Sequence, residues 1–150
     1  MPFIFSKVNI PISKEQEREL KSQLGKAISL VPGKSEEYLL TGFEDNCRMY
    51  LRGNDSEPLA YVEADIFGNE EHLGYDRLTM AITAMFGEVL GIAPNHVYVN
   101  YRDIPGWSTS GMWFFNDISR KTIGHTRLSR MRDSCPATTS GTITLPSLTE

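Results

Sequence analysis

The order strand, helix, strand occurs twice along this 150-residue chain, and this repeat constrains the fold more strongly than any other feature. In the first copy, residues 3–10 and 38–43 are rich in β-branched and aromatic side chains, which favours two strands. Between them, apolar residues recur every three or four positions, as on the buried face of a helix: Leu20, Leu24, Ala27, Ile28 and Val31. The first copy is therefore predicted to be a β-α-β unit.

Local signals mark both ends of this first helix. Ser13 and Gln16 have the spacing of a capping box, in which each side chain bonds the other residue's free backbone N–H. Pro32 and Gly33 end the helix, because proline disfavours a helical residue before it and glycine tolerates a left-handed turn. The helix is therefore expected between these two pairs.

The second copy repeats the order. It follows a short extended run at residues 47–52 and a turn at residues 53–56. Residues 59–67 and 96–102 are predicted strands, and the helix between them ends at Gly91. The apolar stripe of that helix has five members: Leu78, Ala81, Ile82, Met85 and Val89.

Two β-α-β units predict an α+β fold. A helix that joins two parallel strands is a crossover, so two units place both helices on one face of a four-stranded sheet. We therefore predict a two-layer sandwich with internal duplication. A generic ferredoxin-like α+β domain fits the same pattern and remains open at this point.

The composition of the chain argues against nucleic-acid binding, a membrane span and a metal site. A chain of this length suits one domain, and its net charge of −4 lacks the excess of Lys and Arg that nucleic-acid binding uses. No apolar run approaches the length of a membrane span. Cys47 and Cys135 stand alone, without the spacing of a metal site or a redox pair, so neither a metal nor another cofactor is expected. The first residues lack the features of a signal peptide, and we expect a cytoplasmic protein.

The last part of the chain differs from the rest. Residues 116–150 are dense in Ser and Thr, carry an excess of basic residues and show no periodicity. The folded domain is predicted to cover residues 1–115, and the extension is predicted to be mostly disordered. The extension is either a basic interaction tail or a solvated appendage.

Pro2 is a candidate general base. Removal of the initiator methionine is favoured by a following proline, and it would leave a secondary amine at the N-terminus. An α-amino group has a pKa of about 8, which burial or a nearby cation lowers, so such an amine can accept a proton at neutral pH. The alternative is that Pro2 has no catalytic role.

Lys34 follows the first helix and allows two interpretations. It is either a solvated lysine beside the negative end of the helix dipole or a clamp for a carboxylate. If it lies near Pro2, its charge also lowers the pKa of the amine.

The segment 97–101 alternates between apolar and polar positions. Period-two alternation places Tyr98 and Asn100 on one face of the strand. They are either partly solvated side chains or, as an aromatic ring beside an amide, part of a site for a small aromatic acid.

Five segments, in register, resemble the macrophage migration inhibitory factor (MIF) family and its tautomerase relatives over about residues 1–114. They are residues 1–4, the Gly33-Lys34 pair leading to Tyr38, residues 58–68, residues 92–101 and residues 106–114.

The resemblance implies a homotrimer with sites between subunits, which interconverts the keto and enol forms of phenylpyruvate-like aromatic 2-oxo acids. In this alignment Pro2 is the base and Lys34 binds the substrate carboxylate. The other implied contacts are backbone at Ile66 and Phe67, Tyr98 and Asn100 of a neighbouring subunit, and a lining of Tyr38 and Trp107.

The chain departs from the family pattern at two places. Residues 59–62 lack the Cys-x-x-Cys of vertebrate members, which leaves a thiol oxidoreductase activity unsupported. The family ending is replaced at residues 107–114, so the resemblance leaves the substrate preference open.

Two alternatives to an enzyme follow from the same residues. One is a MIF-like cytokine that binds a protein receptor and leaves the cell by a non-classical route. The other is a regulatory domain that binds a small molecule without chemistry, which retention of Met1 would favour because Pro2 would then be an amide.

Overall fold

The computed structural model describes residues 1–115 and 130–131. Its main sheet has four strands in the order β2-β1-β3-β4. These strands are β1 (Pro2–Val8), β2 (Leu40–Glu44), β3 (Ala60–Phe67) and β4 (Val97–Ile104). Helix α1 (Lys14–Ala27) follows β1, and helix α2 (Tyr75–Leu90) follows β3. No helix in these residues is long and apolar enough to cross a membrane.

The topology confirms the two predicted β-α-β units. Strands β1 and β2 are parallel, as are β3 and β4, while β1 and β3 pair antiparallel in the centre. In a split β-α-β arrangement another strand separates the two strands that the helix joins. Here the two strands of each unit are direct neighbours, so the ferredoxin-like alternative is wrong.

The core lies between one face of the sheet and the two helices. Alternate residues of β1 and β3 are buried, as expected for strands with one face covered. The fully buried residues from the sheet and both helices include Ile4, Val8, Val62, Ile66, Leu20, Leu24, Ile82 and Phe86. No helix of the described residues covers the opposite face of the sheet, which bears many of the polar side chains of β3 and β4.

The two helices begin in different ways. The capping box of Ser13 and Gln16 is present, with both reciprocal hydrogen bonds formed. The N-cap of α2 is Gly74, which has a left-handed φ of +81° and makes no side-chain cap. Gly91 ends α2, as predicted, with a φ of +69°.

The boundaries differ from the sequence predictions in several segments. Helix α1 ends at Ala27, before Pro32 and Gly33, because the chain tightens into a 3-10 turn at Ile28–Leu30, closed by the Val31 N–H donating to the carbonyl oxygen of Ile28.

Residues 36–38 form a 3-10 turn, so Tyr38 precedes the strand that was predicted to begin with it, and β2 starts at Leu40. Residues 47–52 are not a strand and form only an isolated bridge, between Leu51 and Asn54. The backbone amides of Tyr38 and Leu51 donate within local turns, to Ser35 and Asn54, whereas the amide of Cys47 donates to the carbonyl oxygen of Val8 at the end of β1.

A second, three-stranded sheet follows the first. Strands β5 (Gly106–Thr109) and β6 (Met112–Phe115) form a hairpin, and β7 (Arg130–Met131) pairs antiparallel with β6. The hairpin was not predicted, because four-residue strands are too short to show a clear alternation. Apart from β7, the extension predicted to be disordered lies outside the described residues.

Candidate active site

The start of β1 and the end of β3, the two central strands of the main sheet, lie side by side at the N-terminus of the chain. Pro2 is the register partner of Ile66, and both side chains are buried on the helix-facing side of the sheet. The backbone N–H of Phe67 donates a hydrogen bond to the carbonyl oxygen of Met1 at 3.2 Å. The antiparallel pairing of β1 and β3 therefore places the first residues of the chain beside the end of β3.

Lys34 reaches the same point from the connection after α1. Its backbone N–H closes a turn by donating to the carbonyl oxygen of Val31 at 3.1 Å, and Gly33 supplies the positive φ that this turn requires. Its side chain is hydrogen-bonded to the N-terminal amine. A Cβ placed on Gly68 would lie 3.4 Å from Lys34 Nζ, so the ammonium also lies against the backbone that follows β3.

The two amines perturb each other. Burial lowers the pKa of the Met1 amine to about 5, and the charge and hydrogen bond of Lys34 act in the same direction. Burial also lowers the pKa of Lys34, but its hydrogen bond with the terminal amine acts in the opposite direction. With its pKa lowered to about 5, the terminal amine is neutral at physiological pH and can accept a hydrogen bond from the Lys34 side chain.

The residue that carries this amine depends on processing. While Met1 precedes it, the nitrogen of Pro2 is an amide and has no basic lone pair. Removal of Met1 would convert that nitrogen into a secondary amine, one residue away from the amine that Lys34 now contacts. It would also take away the carbonyl acceptor of the Phe67 N–H and leave that donor available next to the new N-terminus.

Tyr98 and Asn100 share one face of β4, as the alternation predicted, and both are exposed. That face is the one away from the helices, whereas Pro2 lies on the helix side. Asn100 pairs with Glu63, three residues before Ile66 on β3, and Tyr98 pairs with Tyr61, five residues before it. These offsets correspond to roughly 10 and 17 Å along the strand. A single chain therefore does not bring Tyr98 and Asn100 to its own Lys34.

The remaining two predicted residues lie on segments that leave this region. Tyr38 ends the 3-10 turn that follows Lys34, and 62% of it is exposed. Trp107 lies in β5, where it pairs with Phe114. It follows three residues after Ile104, the β4 partner of Phe67, so the hairpin starts at the edge of the amine site.

A polar cluster beside this site was not predicted from the sequence. The carboxylate of Asp103 on β4 accepts a hydrogen bond from the Tyr75 hydroxyl at 2.9 Å and contacts Nε2 of His72. The predicted strand ended before Asp103, and the three residues belong to three different elements. The short spacing of His72 and Tyr75 was the one available signal, and by itself it indicates no partner.

Neither metal binding nor thiol chemistry is indicated at the described residues. Among residues 1–115 and 130–131, no three His, Cys, Asp or Glu side chains are grouped to hold a metal ion. Cys47 is a free thiol, and burial together with the carboxylate of Glu44 raises its pKa, which disfavours the reactive thiolate.

A family model described as macrophage migration inhibitory factor (MIF) matches residues 1–112, which is most of the chain and all of the main sheet. The chain belongs to the MIF family. The resemblance inferred from the five sequence segments is thereby confirmed. No curated protein sequence matches the chain.

Solved structures show the same fold in other MIF homologues. MIF2 from Leishmania major superposes with a TM-score of 0.69 at 24% identity, covering 76% of this chain and 97% of that protein. The MIF homologue from Prochlorococcus marinus gives 0.65 at 24% identity, covering 73% and 96%. Pt0534, whose structure was solved after inactivation by 2-oxo-3-pentynoate, gives 0.65 at 15% identity, covering 73% and 92%.

Coverage differs between this chain and those MIF-fold proteins. Nearly the whole of each related chain is matched, whereas about a quarter of this chain is not. The family match ends at residue 112, within β6. The segment after the hairpin is therefore an addition to the shared domain, and β7 is its described part.

Proposed function

We propose that this MIF-family protein is a keto-enol tautomerase for small aromatic 2-oxo acids such as phenylpyruvate, with Pro2 as the general base. The observation that carries the proposal is the position of the N-terminal amine, in contact with Lys34 and beside the end of β3; burial and Lys34 lower the pKa of this amine, which belongs to Met1 here, to about 5. An amine must be neutral to accept a proton, and one with a depressed pKa is suited to exchange protons near neutrality. The same surroundings act on Pro2 once Met1 has been removed.

The reaction needs only a proton shuttle. The lone pair of the Pro2 nitrogen takes a proton from the carbon next to the keto group, and the electrons of that C–H bond form the carbon-carbon double bond. The carbonyl electrons move to oxygen, which then takes the proton from the Pro2 ammonium. The product is the enol, the amine is regenerated, and the reverse reaction follows the same path.

Lys34 and the end of β3 supply the binding groups in this proposal. The Lys34 ammonium donates a charge-assisted hydrogen bond to the substrate carboxylate. The Phe67 N–H, freed from the Met1 carbonyl, is a second donor at the same point. Ile66 and the lining residues Tyr38 and Trp107 complete the apolar part of the site.

We also propose that the active form is a homotrimer in which Tyr98 and Asn100 of a neighbouring subunit contact the substrate ring. The register supports this, since both residues lie on the opposite face of the sheet and at a distance from their own Pro2. The exposed face that bears them is available for contact with another copy. A monomeric mass in solution would contradict this part of the proposal.

The first test combines mass and activity. The intact mass of the purified full-length chain shows whether Met1 is absent, and the tautomerisation of phenylpyruvate is followed by the absorbance of its enol. We expect a mass that lacks Met1, measurable activity, and covalent labelling of Pro2 by 2-oxo-3-pentynoate. Peptide mapping distinguishes labelling of Pro2 from labelling of Lys34.

A matched variant isolates the amine. One glycine inserted between Met1 and Pro2 makes the proline nitrogen an amide after methionine removal and leaves every other residue unchanged. The expected loss of activity is on the order of 10²- to 10⁴-fold, as for removal of a general base. Full activity in this variant would contradict the proposal. Inactivity of a mass-verified chain that starts at Pro2 would reject the enzyme and favour a binding function.

A further inference from the structure

One carboxylate at the end of β4 holds the connection between β3 and α2. Asp103 Oδ1 accepts a hydrogen bond from the hydroxyl of Tyr75, in the first turn of α2, at 2.9 Å. Asp103 Oδ2 contacts Nε2 of His72, which lies in the connecting loop. A single side chain thereby joins the strand, the loop and the helix.

Aromatic stacking supports the same three elements. The Tyr75 ring stacks on Tyr101 of β4 with centroids 4.3 Å apart and an interplanar angle of 9°. His72 also stacks on the Tyr75 ring, with centroids 5.5 Å apart. The Tyr101 hydroxyl donates to the backbone carbonyl of Tyr75 at 3.1 Å. Burial and the Asp103 carboxylate raise the pKa of Tyr75, so its hydroxyl stays protonated and can donate.

The loop held in this way borders the amine site. It begins at Gly68, whose backbone lies against the Lys34 ammonium, and it ends at Gly74. Asn69, which is buried, closes the loop internally by donating to the carbonyl oxygen of Leu73 at 2.9 Å. Asp103 is also the register partner of Ile66, which pairs with Pro2 on the other side. The cluster is thus one strand away from the N-terminus.

Removal of Met1 would increase the importance of this cluster. In the described structure, the start of the loop is also held by the hydrogen bond from the Phe67 N–H to the Met1 carbonyl. That bond is lost with Met1. His72 has a φ of +60°, a left-handed conformation that residues other than glycine rarely adopt without support from their surroundings.

We propose that Asp103 is a positioning residue, which, through Tyr75 and His72, fixes residues 68–74 so that Gly68 holds the Lys34 ammonium against the N-terminal amine. The inference rests on the proposed function for its kinetic consequences. It does not require Asp103 to touch substrate. Loss of Asp103 displaces the loop, moves Lys34 away from the amine, and weakens carboxylate binding more than it impairs proton transfer.

The test uses the full-length chain and three substitutions. Asp103→Ala removes the contacts to both Tyr75 and His72. Tyr75→Phe removes the hydroxyl and keeps the stacked ring. His72→Asn removes the imidazole ring, and asparagine tolerates the positive φ at this position. For Asp103→Ala we expect KM for phenylpyruvate to rise on the order of tenfold, with a smaller change in kcat. The acidic limb of kcat/KM should move to higher pH, because the charge that lowers the pKa of the amine is farther away.

A matched control separates positioning from general destabilisation. His96 and Glu57 form the other histidine-carboxylate pair of the described residues, with 3.4 Å between Nδ1 and Oε2, at the opposite end of β4. His96→Asn should leave KM and the pH profile unchanged. Tyr75→Phe and His72→Asn should each show part of the Asp103→Ala effect. Either single variant keeps the proposal testable if Asp103→Ala does not fold.

Two readouts do not depend on turnover. Amide hydrogen exchange of residues 69–74 should become faster in Asp103→Ala, and the pKa of the N-terminal amine, measured by NMR, should rise. If wild type proves inactive while both readouts change, the tautomerase proposal fails and the positioning role stands. Unchanged exchange and an unchanged amine pKa in a folded Asp103→Ala variant would overturn the positioning role, whatever the activity.

Discussion

The two β-α-β units share one backbone plan but hold their helices by different means. Helix α1 begins with a local capping box, formed by residues three positions apart. Helix α2 begins at Gly74 without a side-chain cap, and its first turn is held by Asp103 from a distant strand. Equivalent helices of the two units are therefore stabilised differently, α1 by hydrogen bonds between neighbouring residues and α2 by tertiary contacts.

The units also contribute different parts of the site. The first supplies the N-terminal amine and Lys34, and the second supplies the end of β3 and the loop that Asp103 holds. The helix with the local cap belongs to the unit that carries the two amines. The helix that depends on tertiary contacts belongs to the unit whose loop borders them, so disturbance of α2 is expected to reach the site first.

The largest effect is expected where the second unit touches the first. A Cβ on Gly74 would lie 2.2 Å from the carbonyl oxygen of Leu30, and its φ is +81°. Gly74→Ala should lower the free energy of unfolding by about 3 kcal/mol, because left-handed strain of about 1–2 kcal/mol adds to the steric overlap. Urea denaturation measures this loss.

Gly91 provides the control for this substitution. It has a φ of +69°, and a Cβ added there would meet open space, with no contact within 4 Å. Gly91→Ala should cost only the backbone strain, about 1–2 kcal/mol. Equal losses in the two variants would show that the contact between Gly74 and Leu30 carries no stability.

The next effect concerns the site contributed by the first unit. Lys34→Gln removes a charged hydrogen-bond donor, so KM for phenylpyruvate should rise by roughly ten- to a hundredfold. The charge of Lys34 lowers the pKa of the amine, and its removal should raise that pKa. Since the reaction needs the neutral amine, the acidic limb of kcat/KM should move to higher pH.

Lys26→Gln is the matched control for this prediction. It makes the same change of charge in the last turn of α1, on an exposed side chain. We expect no change in KM and no shift of the pH profile, because the residue is solvated. A similar shift in both variants would attribute the effect to net charge rather than to contact with the amine.

A smaller effect is expected at the start of α1. Ser13→Ala removes the side-chain acceptor of the capping box and should lower the free energy of unfolding by about 1 kcal/mol. Ser35 precedes a 3-10 turn without making a side-chain cap, so Ser35→Ala should change it little. Equal denaturation midpoints for Ser13→Ala and wild type would show that tertiary packing, rather than the local cap, holds α1 as well.

The smallest effect concerns a hydroxyl in the core of the first unit. Ser6 Oγ is fully buried and has no hydrogen-bond partner within the described residues. Ser6→Ala should therefore raise the free energy of unfolding, by about 1 kcal/mol or less. As a control, Ala64→Ser places a hydroxyl on the neighbouring strand β3, on the same buried face of the sheet, and should lower the free energy of unfolding. A loss of stability in Ser6→Ala would indicate a partner for this hydroxyl.

The fold was largely predictable because its signals are local. The capping residues of α1, the glycine after α2 and the apolar stripe of α2 depend on single elements, and all of them are confirmed. The stripe predicted for α1 continues past its last residue, Ala27, to Ile28 and Val31. The predicted element boundaries were wrong where local residue preference and tertiary strand pairing compete. The aromatic residue Tyr38 favours a strand, yet residues 36–38 turn away from the sheet, and the strand begins at Leu40.

The candidate site was predictable only in part. Pro2 and Lys34 were singled out for their chemistry, and the structure brings Lys34 to the N-terminal amine. The alternation of β4 placed Tyr98 and Asn100 on one face, but it carried no information about their distance from Pro2. Asp103 was missed because its role depends on a loop residue and a helix residue about 30 positions earlier.

By itself, the sequence determined the two β-α-β units, the start of α1, the end of α2 and the residue types able to do proton chemistry, since periodicity and capping act over a few residues. Only the tertiary structure decided which of those residues meet. The antiparallel pairing of β1 with β3 brings the N-terminus to Phe67, and the turn after α1 brings in Lys34. Strand register sets these distances, and burial created by packing sets the pKa of the amine.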